Sequence, residues 1–185
     1  DAYRMRGSGG TKSLTAGTNL PNGVIVHYYL PSFNNENDEV KLSIHSKDGE
    51  LIKEFSNKSS ENKIQVKEGG NSFVWNMKYP GAKRLDNMVL WAADFSGAKA
   101  VPGDYIVKLS VNQTELTQNF KILKDPTSEG TIDDINAQFD FVNEINNIVD
   151  EAHNAIINIR KIKSDLSKFQ SEFADNELVN DLIEM

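Results

Sequence analysis

The hydrophobic positions of this 185-residue chain follow two different periods along its length. Before residue 125, apolar side chains tend to alternate with polar ones, which is the two-residue period of half-buried strands. After residue 130 they recur every three or four residues, which is the period of a helix. The sequence therefore predicts a β-rich first segment and a helical second segment, with the boundary at Lys124-Asp125-Pro126-Thr127.

Seven or eight short strands are predicted between residues 21 and 124. The Asp48-Gly49 pair tolerates positive φ and marks a tight hairpin turn, and Asn112-Gln113 marks a second short turn. This density of short strands predicts an immunoglobulin-like β-sandwich whose core comes from packing between two sheets, since the chain has no cysteine. The predicted strands cover residues 24–30, 40–44, 51–55, 64–66, 73–77, 88–91, 105–111 and 116–122, of which 64–66 is the weakest.

One long helix is predicted from about Ile132 to Phe173. Thr131 and Asp134 have the spacing of a capping box, with Asp in place of the usual Glu or Gln. The apolar steps average about 3.5 residues, the spacing of a helix that packs along another helix. This apolar stripe consists of Ile135, Phe139, Val142, Ile145, Val149, Ala152, Ile156, Ile159, Ile162, Leu166, Phe169 and Phe173.

A helix of that length extends about 60 Å, which is more than a small sandwich can cover. We therefore expect the stripe to pack on another helix, either of this chain in a helical hairpin or of a second copy in a coiled coil. Residues 175–184 could form a short return, too short to cover the whole stripe. The predicted helix interface consists of Val142, Ile145, Val149, Ile156, Ile159 and Leu166.

Composition and charge divide the chain at the same place. All 12 glycines and all 5 prolines lie before residue 131. Residues 125–185 carry 14 acidic and 4 basic side chains, and the whole chain has a net charge of −7. An acidic chain lacks the basic footprint that non-specific nucleic-acid binding requires. No apolar run approaches the ~20 residues of a membrane span, and residues 1–20, rich in glycine, are expected to be a linker or the end of a preceding domain.

No catalytic or metal-binding pattern stands out. The three histidines, His27, His45 and His153, lie far apart in different predicted elements and are expected to be partly exposed structural residues. The chain has no nucleophile elbow, no zinc-ligand spacing and no glycine-rich phosphate loop followed by lysine. The sequence therefore predicts no catalytic residue, no metal and no cofactor.

Aromatic side chains of the first segment allow two interpretations. Most of them, above all Trp75 and Tyr105, are expected to fill the core between the sheets. Flat aromatic faces also stack on sugar rings, so an exposed subset could bind a glycan. The candidate glycan face consists of Trp91, Tyr29 and Tyr79.

Several short motifs resemble the region that follows the propeller in bacterial sortilin-like, BNR-repeat β-propeller proteins, which are often labelled glycosyl hydrolases. The motifs are Gly17-Thr18-Asn19-Leu20-Pro21-Asn22-Gly23-Val24 with Tyr28-Tyr29-Leu30, Gly70-Asn71-Ser72-Phe73-Val74-Trp75-Asn76-Met77-Lys78-Tyr79-Pro80-Gly81, Pro102-Gly103-Asp104-Tyr105, and Gln138-Phe139-Asp140-Phe141 with His153-Asn154-Ala155-Ile156. The family pattern has Asp where this chain has Asn76 and Arg where it has Lys78.

The resemblance implies an immunoglobulin-like domain followed by helix, in a secreted, periplasmic or cell-surface protein. The hydrolase label belongs to the propeller, which residues 1–185 do not contain, so it does not transfer to these residues. We therefore expect a non-catalytic accessory module that packs on a propeller or on a second copy through its helix. A carbohydrate-binding module is the alternative, and a glycoside hydrolase is the third hypothesis.

Overall fold

A computed structural model describes residues 21–89 and 95–172 of the chain. These residues form two antiparallel β-sheets followed by one long α-helix. The strands are β1 (Val24–Leu30), β2 (Val40–Ser46), β3 (Leu51–Ser56), β4 (Gly69–Trp75), β5 (Gly103–Val111) and β6 (Thr114–Ile122), and the helix is α1 (Ile132–Glu172).

The two sheets pack in a sandwich-like arrangement. One sheet has four strands in the order β3-β2-β5-β6, and the other pairs β1 with β4. The rings of Phe55 in β3 and Phe73 in β4 lie 4.6 Å apart between centroids, which joins the sheets at one end. A β-rich layer followed by one long helix is the layout that the sequence predicts.

The strand count is smaller than predicted, since the described residues contain six strands rather than seven or eight. Residues 64–66 form no strand. Ile64 is buried, and its N–H donates to the carbonyl of Ser56 at 3.1 Å. Its side chain therefore packs in the core although these residues do not pair as a strand. Of the predicted strand 88–91, residues 90 and 91 lie outside the described residues, and residues 88 and 89 are not in a strand. The predicted strand 73–77 ends earlier, at Trp75, because Met77 has a φ of 59°.

Both predicted hairpin turns are present. Strands β2 and β3 pair antiparallel across a turn in which Gly49 has a φ of 88°. Strands β5 and β6 pair across Asn112 and Gln113, and Asn112 has a φ of 53°. Asn is one of the few residues besides Gly that adopts this conformation readily.

The core lies between the sheets and is centred on Trp75, which is fully buried. The Trp75 ring lies 6.0 Å from Tyr105 and 6.3 Å from Phe120, both edge-on, and its Nε1 donates to the carbonyl of Lys78. Burial raises the pKa of Tyr105, whose hydroxyl donates to the carbonyl of Val101 at 2.7 Å. The structure thus confirms Trp75 and Tyr105 as core residues.

Between β4 and β5, the described residues 77–89 and 95–100 pack against each other, and we call them the receiving loop. A short ladder holds its ends together, because Tyr79 N–H donates to Ala98 and Ala100 N–H donates to Met77. Gly81 and Gly97 let the two sides approach: a Cβ on Gly81 would lie 1.7 Å from the Phe95 carbonyl oxygen. This close approach shapes the surface on which α1 packs.

The predicted capping box opens helix α1. Thr131 Oγ1 accepts from the N–H of Asp134 at 3.1 Å, and Asp134 Oδ2 accepts from the N–H of Thr131 at 2.8 Å. These reciprocal bonds satisfy two backbone donors at the helix start. They also hold the pKa of Asp134 below its usual value, since they stabilise the carboxylate.

Candidate functional site

One side of helix α1 packs on the receiving loop. The ring of Phe139 meets Tyr79 edge-on with centroids 4.8 Å apart, and the His153 ring lies 5.7 Å from Phe95. The helix residues on this side are half-buried or buried, in contrast to the rest of α1. We call this side the docked face, and it consists of Ile135, Phe139, Val142, Asn143, Asn146, Val149, Asp150 and His153.

Lys83 of the receiving loop is held by the helix through both of its backbone polar groups. Its N–H donates to Asp150 Oδ1 at 2.5 Å, and its carbonyl oxygen lies 2.5 Å from His153 Nδ1. A carbonyl can only accept, so Nδ1 of His153 carries the hydrogen. The sequence predicts a partly exposed His153, but it is buried, because Lys83 and Phe95 of the receiving loop pack against its ring.

The docked face ends before the helix does. Near its middle, Arg160 Nη1 donates to the carbonyl of Asp86 in the receiving loop at 3.3 Å. From residue 154 to residue 172, every side chain of α1 is exposed. The sandwich therefore anchors the first half of the helix and leaves the second half projecting.

A second row of apolar residues runs along α1 on the side away from the docked face. Its steps alternate strictly between four and three residues, as in the a and d positions of a coiled coil. Phe141, Ile148 and Ile159 are 61%, 59% and 64% exposed. We call this row the exposed seam, and it consists of Phe141, Ile145, Ile148, Ala152, Ala155, Ile159, Ile162 and Leu166.

The six residues of the predicted helix interface lie in two different environments. Val142 and Val149 are half-buried on the docked face, next to the receiving loop. Ile145, Ile159 and Leu166 belong to the exposed seam, while Ile156 lies at its margin. The predicted stripe therefore combines residues of two neighbouring rows on α1, because steps of three and four residues fit both rows.

Charge is distributed unevenly along α1. Residues 132–151 carry six acidic side chains and no basic one. Residues 152–172 carry four basic and two acidic side chains. The helix therefore has an acidic half that is anchored to the sandwich and a basic half that projects from it.

The three residues of the candidate glycan face are found in different places. Tyr29 is 71% exposed and borders an open groove along β1 and β4, which His27, Lys67 and Asn71 also line. Tyr79 instead packs on Phe139 in the contact with α1. Trp91 lies outside the described residues. Of the three, only Tyr29 offers an exposed ring beside a groove in the described part of the chain.

Metal ligands do not cluster in the described residues: no group of three or more His, Asp or Glu side chains is close enough to hold an ion. His45 bonds locally, with Nε2 2.9 Å from Ser43 Oγ and Nδ1 3.1 Å from the Gly49 carbonyl. Within residues 21–89 and 95–172, no helix combines the length and apolarity needed to cross a membrane.

Comparisons with protein-family models, with curated proteins and with solved structures found no match for this chain.

Proposed function

We propose that this chain is a non-catalytic accessory module of a larger secreted or periplasmic β-propeller protein, and that helix α1 is its docking element. The observation that carries the proposal is the exposed seam, a continuous apolar row on the side of α1 that the sandwich does not touch. Large apolar side chains in such a row are costly in water and mark an interaction surface.

The fixed position of the helix supports this role. Asp150 and His153 bond both backbone groups of Lys83, and Phe139 packs on Tyr79, so the first half of α1 is held at a set orientation. A helix that is fixed on one side and apolar on the other presents its seam to a partner without first having to be ordered. Binding then costs less conformational entropy.

The sandwich is proposed to be of the immunoglobulin-like class. The Tyr105 hydroxyl at the start of β5 donates to the carbonyl of Val101, four residues upstream. This arrangement resembles the tyrosine corner of immunoglobulin-like domains. Together with the short motifs named above, it supports a role beside a propeller.

The proposal is tested by changing the exposed seam in a protein that includes the propeller. The sequence encoded before Asp1 is expected to contain propeller repeats, and that part can be supplied as a separate polypeptide. We expect it to copurify with this chain and to lose the interaction with Ile159→Asp, because a buried carboxylate is costly. Ser164→Asp adds the same charge on the opposite side of α1 and should bind normally. Equal binding by both variants would refute the docking role.

A carbohydrate-binding module is the second candidate, and the exposed ring of Tyr29 beside the β1–β4 groove favours it. A stacking interaction with a sugar would make glycan binding depend on this ring. We expect Tyr29→Ala to abolish any binding detected on a glycan array, while Leu51→Ala, at another exposed site on β3, leaves it intact. Absence of binding by the unmodified chain across a broad array would rule this function out.

A further inference from the structure

The exposed seam has a regularity that identifies the kind of element that covers it. Its residues keep a spacing of 3.5 over eight positions, which straight amphipathic helices on globular domains do not maintain. Such spacing belongs to two helices that wind around each other with interlocking side chains. The seam is about 37 Å long, so its partner is a helix of similar length.

Residues 173–185, which follow the described part of α1, are too few to be that partner. Thirteen residues would make a helix of about 20 Å, roughly half the length of the seam. A second copy of this chain, in contrast, brings an identical seam of matching length.

We propose that two copies of this chain pair through their exposed seams as an antiparallel coiled coil, with the two-fold axis between His153 and Asn154. The inference rests on the docking role of α1 proposed above and assigns that role to a second copy, with a propeller bound at the same seam as the competing occupant. An antiparallel pair is isologous, so the seam must match its own reverse.

The order of side chains along the seam meets that requirement. When the a positions of one helix face the d positions of an antiparallel copy, each layer joins residues of similar size. Read from the ends to the centre, the layers are Phe141 with Leu166, Ile145 with Ile162, Ile148 with Ile159, and Ala152 with Ala155 of the second copy. The seam is therefore bulky at both ends and narrow at its centre, and it fits itself when it is reversed.

The charges of α1 favour the antiparallel direction over the parallel one. A parallel pair would set the acidic half, residues 132–151, beside the same half of the other copy. An antiparallel pair sets that half beside residues 152–172, which contain Arg160, Lys161, Lys163 and Lys168. Opposite net charges side by side are attractive, and like charges are repulsive.

The docked face leaves room for the second copy. Its members fall at heptad positions b, e and f, most of them on the outer side of α1, so each sandwich sits to the side of the pair of helices. One flanking pair opposes association, because Glu144 and Asp165 of the second copy fall opposite each other in this register. This repulsion between Glu144 and Asp165 occurs only in the antiparallel register, so changing it tests whether the helices run antiparallel.

The association state of the unmodified chain is measured first, by sedimentation over a range of micromolar concentrations. We expect a dimer that Ile159→Asp converts to a monomer and that Ser164→Asp leaves intact. A chain that stays monomeric, that forms larger assemblies, or that is equally dimeric with Ile159→Asp overturns the inference. A monomer that still binds the propeller through Ile159 would leave the proposed function standing, so the two failures are distinguishable.

Disulfide cross-linking shows whether the two helices run antiparallel or parallel. The chain has no cysteine of its own, so only the introduced cysteines can cross-link. Ile145→Cys and Ile162→Cys chains, mixed and mildly oxidised, are expected to cross-link with each other. Neither variant alone should cross-link, since residue 145 of the two copies would lie about 25 Å apart, too far for a disulfide. Cross-linking of each variant with itself would show a parallel pair and overturn the inference.

Charge reversal at Asp165 is a second, independent test of the antiparallel register, measured as dimer affinity. In the antiparallel register Asp165→Lys replaces a repulsive pair with an attractive one at two symmetric places, so the dimer should bind about three- to tenfold more tightly. In a parallel pair residue 165 would face Gln170 instead. Unchanged or weaker dimerisation of this variant would contradict the antiparallel register.

Discussion

At the scale of single residues, two glycines determine the shape of the receiving loop. Gly97 is buried, and a Cβ at its position would lie 2.2 Å from the carbonyl oxygens of Tyr79 and Pro80. Both contacts are to backbone, which cannot rotate away as a side chain can. The loop can therefore hold Tyr79 and Phe95 against α1 only if this position has no side chain.

We expect Gly97→Ala to lower the free energy of unfolding by about 1–3 kcal/mol, the cost of overpacking a close contact. Chemical denaturation monitored by tryptophan fluorescence measures this loss. Gly70→Ala is the matched control, because an added Cβ there meets nothing within 4 Å. A Gly97→Ala protein as stable as the Gly70→Ala protein would show that the two sides of the loop are not held this close.

His153 is expected to stabilise the contact between the helix and the sandwich. His153→Ala leaves the Lys83 carbonyl without its partner and opens a gap beside Phe95, so we predict a loss of about 1–3 kcal/mol. Hydrogen exchange should show faster exchange at the Lys83 amide and across the receiving loop. His27→Ala removes an exposed imidazole from β1 and should change neither the stability nor the exchange rate of the Lys83 amide. Unchanged exchange in His153→Ala would mean that this bond does not hold the helix.

Residues whose role depends on local rules were predictable from the sequence, and residues whose role depends on a distant partner were not. Asn112 and Gly49 follow from turn chemistry alone. The buried state of His153 depends on Lys83, seventy residues earlier, and no periodicity indicates that contact. The same reason explains Tyr79, which was assigned to a glycan face but packs on Phe139.

At the scale of elements, the capping box is the feature that fixes where α1 begins. Thr131→Ala removes a side-chain acceptor for a helix N–H, and such changes cost about 1 kcal/mol. We expect a matching loss in stability and a small loss of helical circular dichroism. Asp133→Ala is the control, since it removes an acidic side chain from the same turn but takes no bond from the cap.

The cap should also depend on pH in a defined direction. The pKa of Asp134 is lower in the folded chain than in the unfolded chain, because its carboxylate accepts from Thr131. The contribution of Asp134 to the free energy of unfolding is therefore complete above its pKa in the unfolded chain, near 4. This contribution is lost as the pH falls through its pKa in the folded chain. The stability difference between the unmodified chain and Asp134→Ala should shrink over that interval. A difference that is the same at pH 7 and at strongly acidic pH would contradict this assignment.

The helix itself was predictable, but the assignment of its faces was not. The capping box predicts its start, and the three-to-four spacing predicts helix throughout the described residues up to Glu172. The spacing does not tell which apolar residues meet the sandwich, since Val142 and Ile145 fit one stripe equally well. Strict four-three alternation from Phe141 to Leu166 was visible in the sequence and is the signal that separates the seam from the docked face.

At the scale of the whole molecule, the sandwich and the helix are joined through the receiving loop rather than through the strands. The contacts of α1 named above fall on residues 79–95, and the strands form their core around Trp75 without it. This division bears on the predicted boundary at residues 124–127. A chain that ends at Lys124 would keep every strand and lose every helix contact.

We therefore predict that residues 21–124 alone keep a folded strand core, while the receiving loop becomes less ordered. The reason is that the amide of Lys83 bonds Asp150 and Tyr79 packs on Phe139, and both partners are removed with the helix. Hydrogen exchange measures both effects: amides of β2 and β5 should stay protected as in the intact chain, and the Lys83 amide should exchange faster. Loss of protection in β2 and β5 as well would show that helix and sandwich unfold as one unit, and the boundary at Lys124 would then not separate two domains.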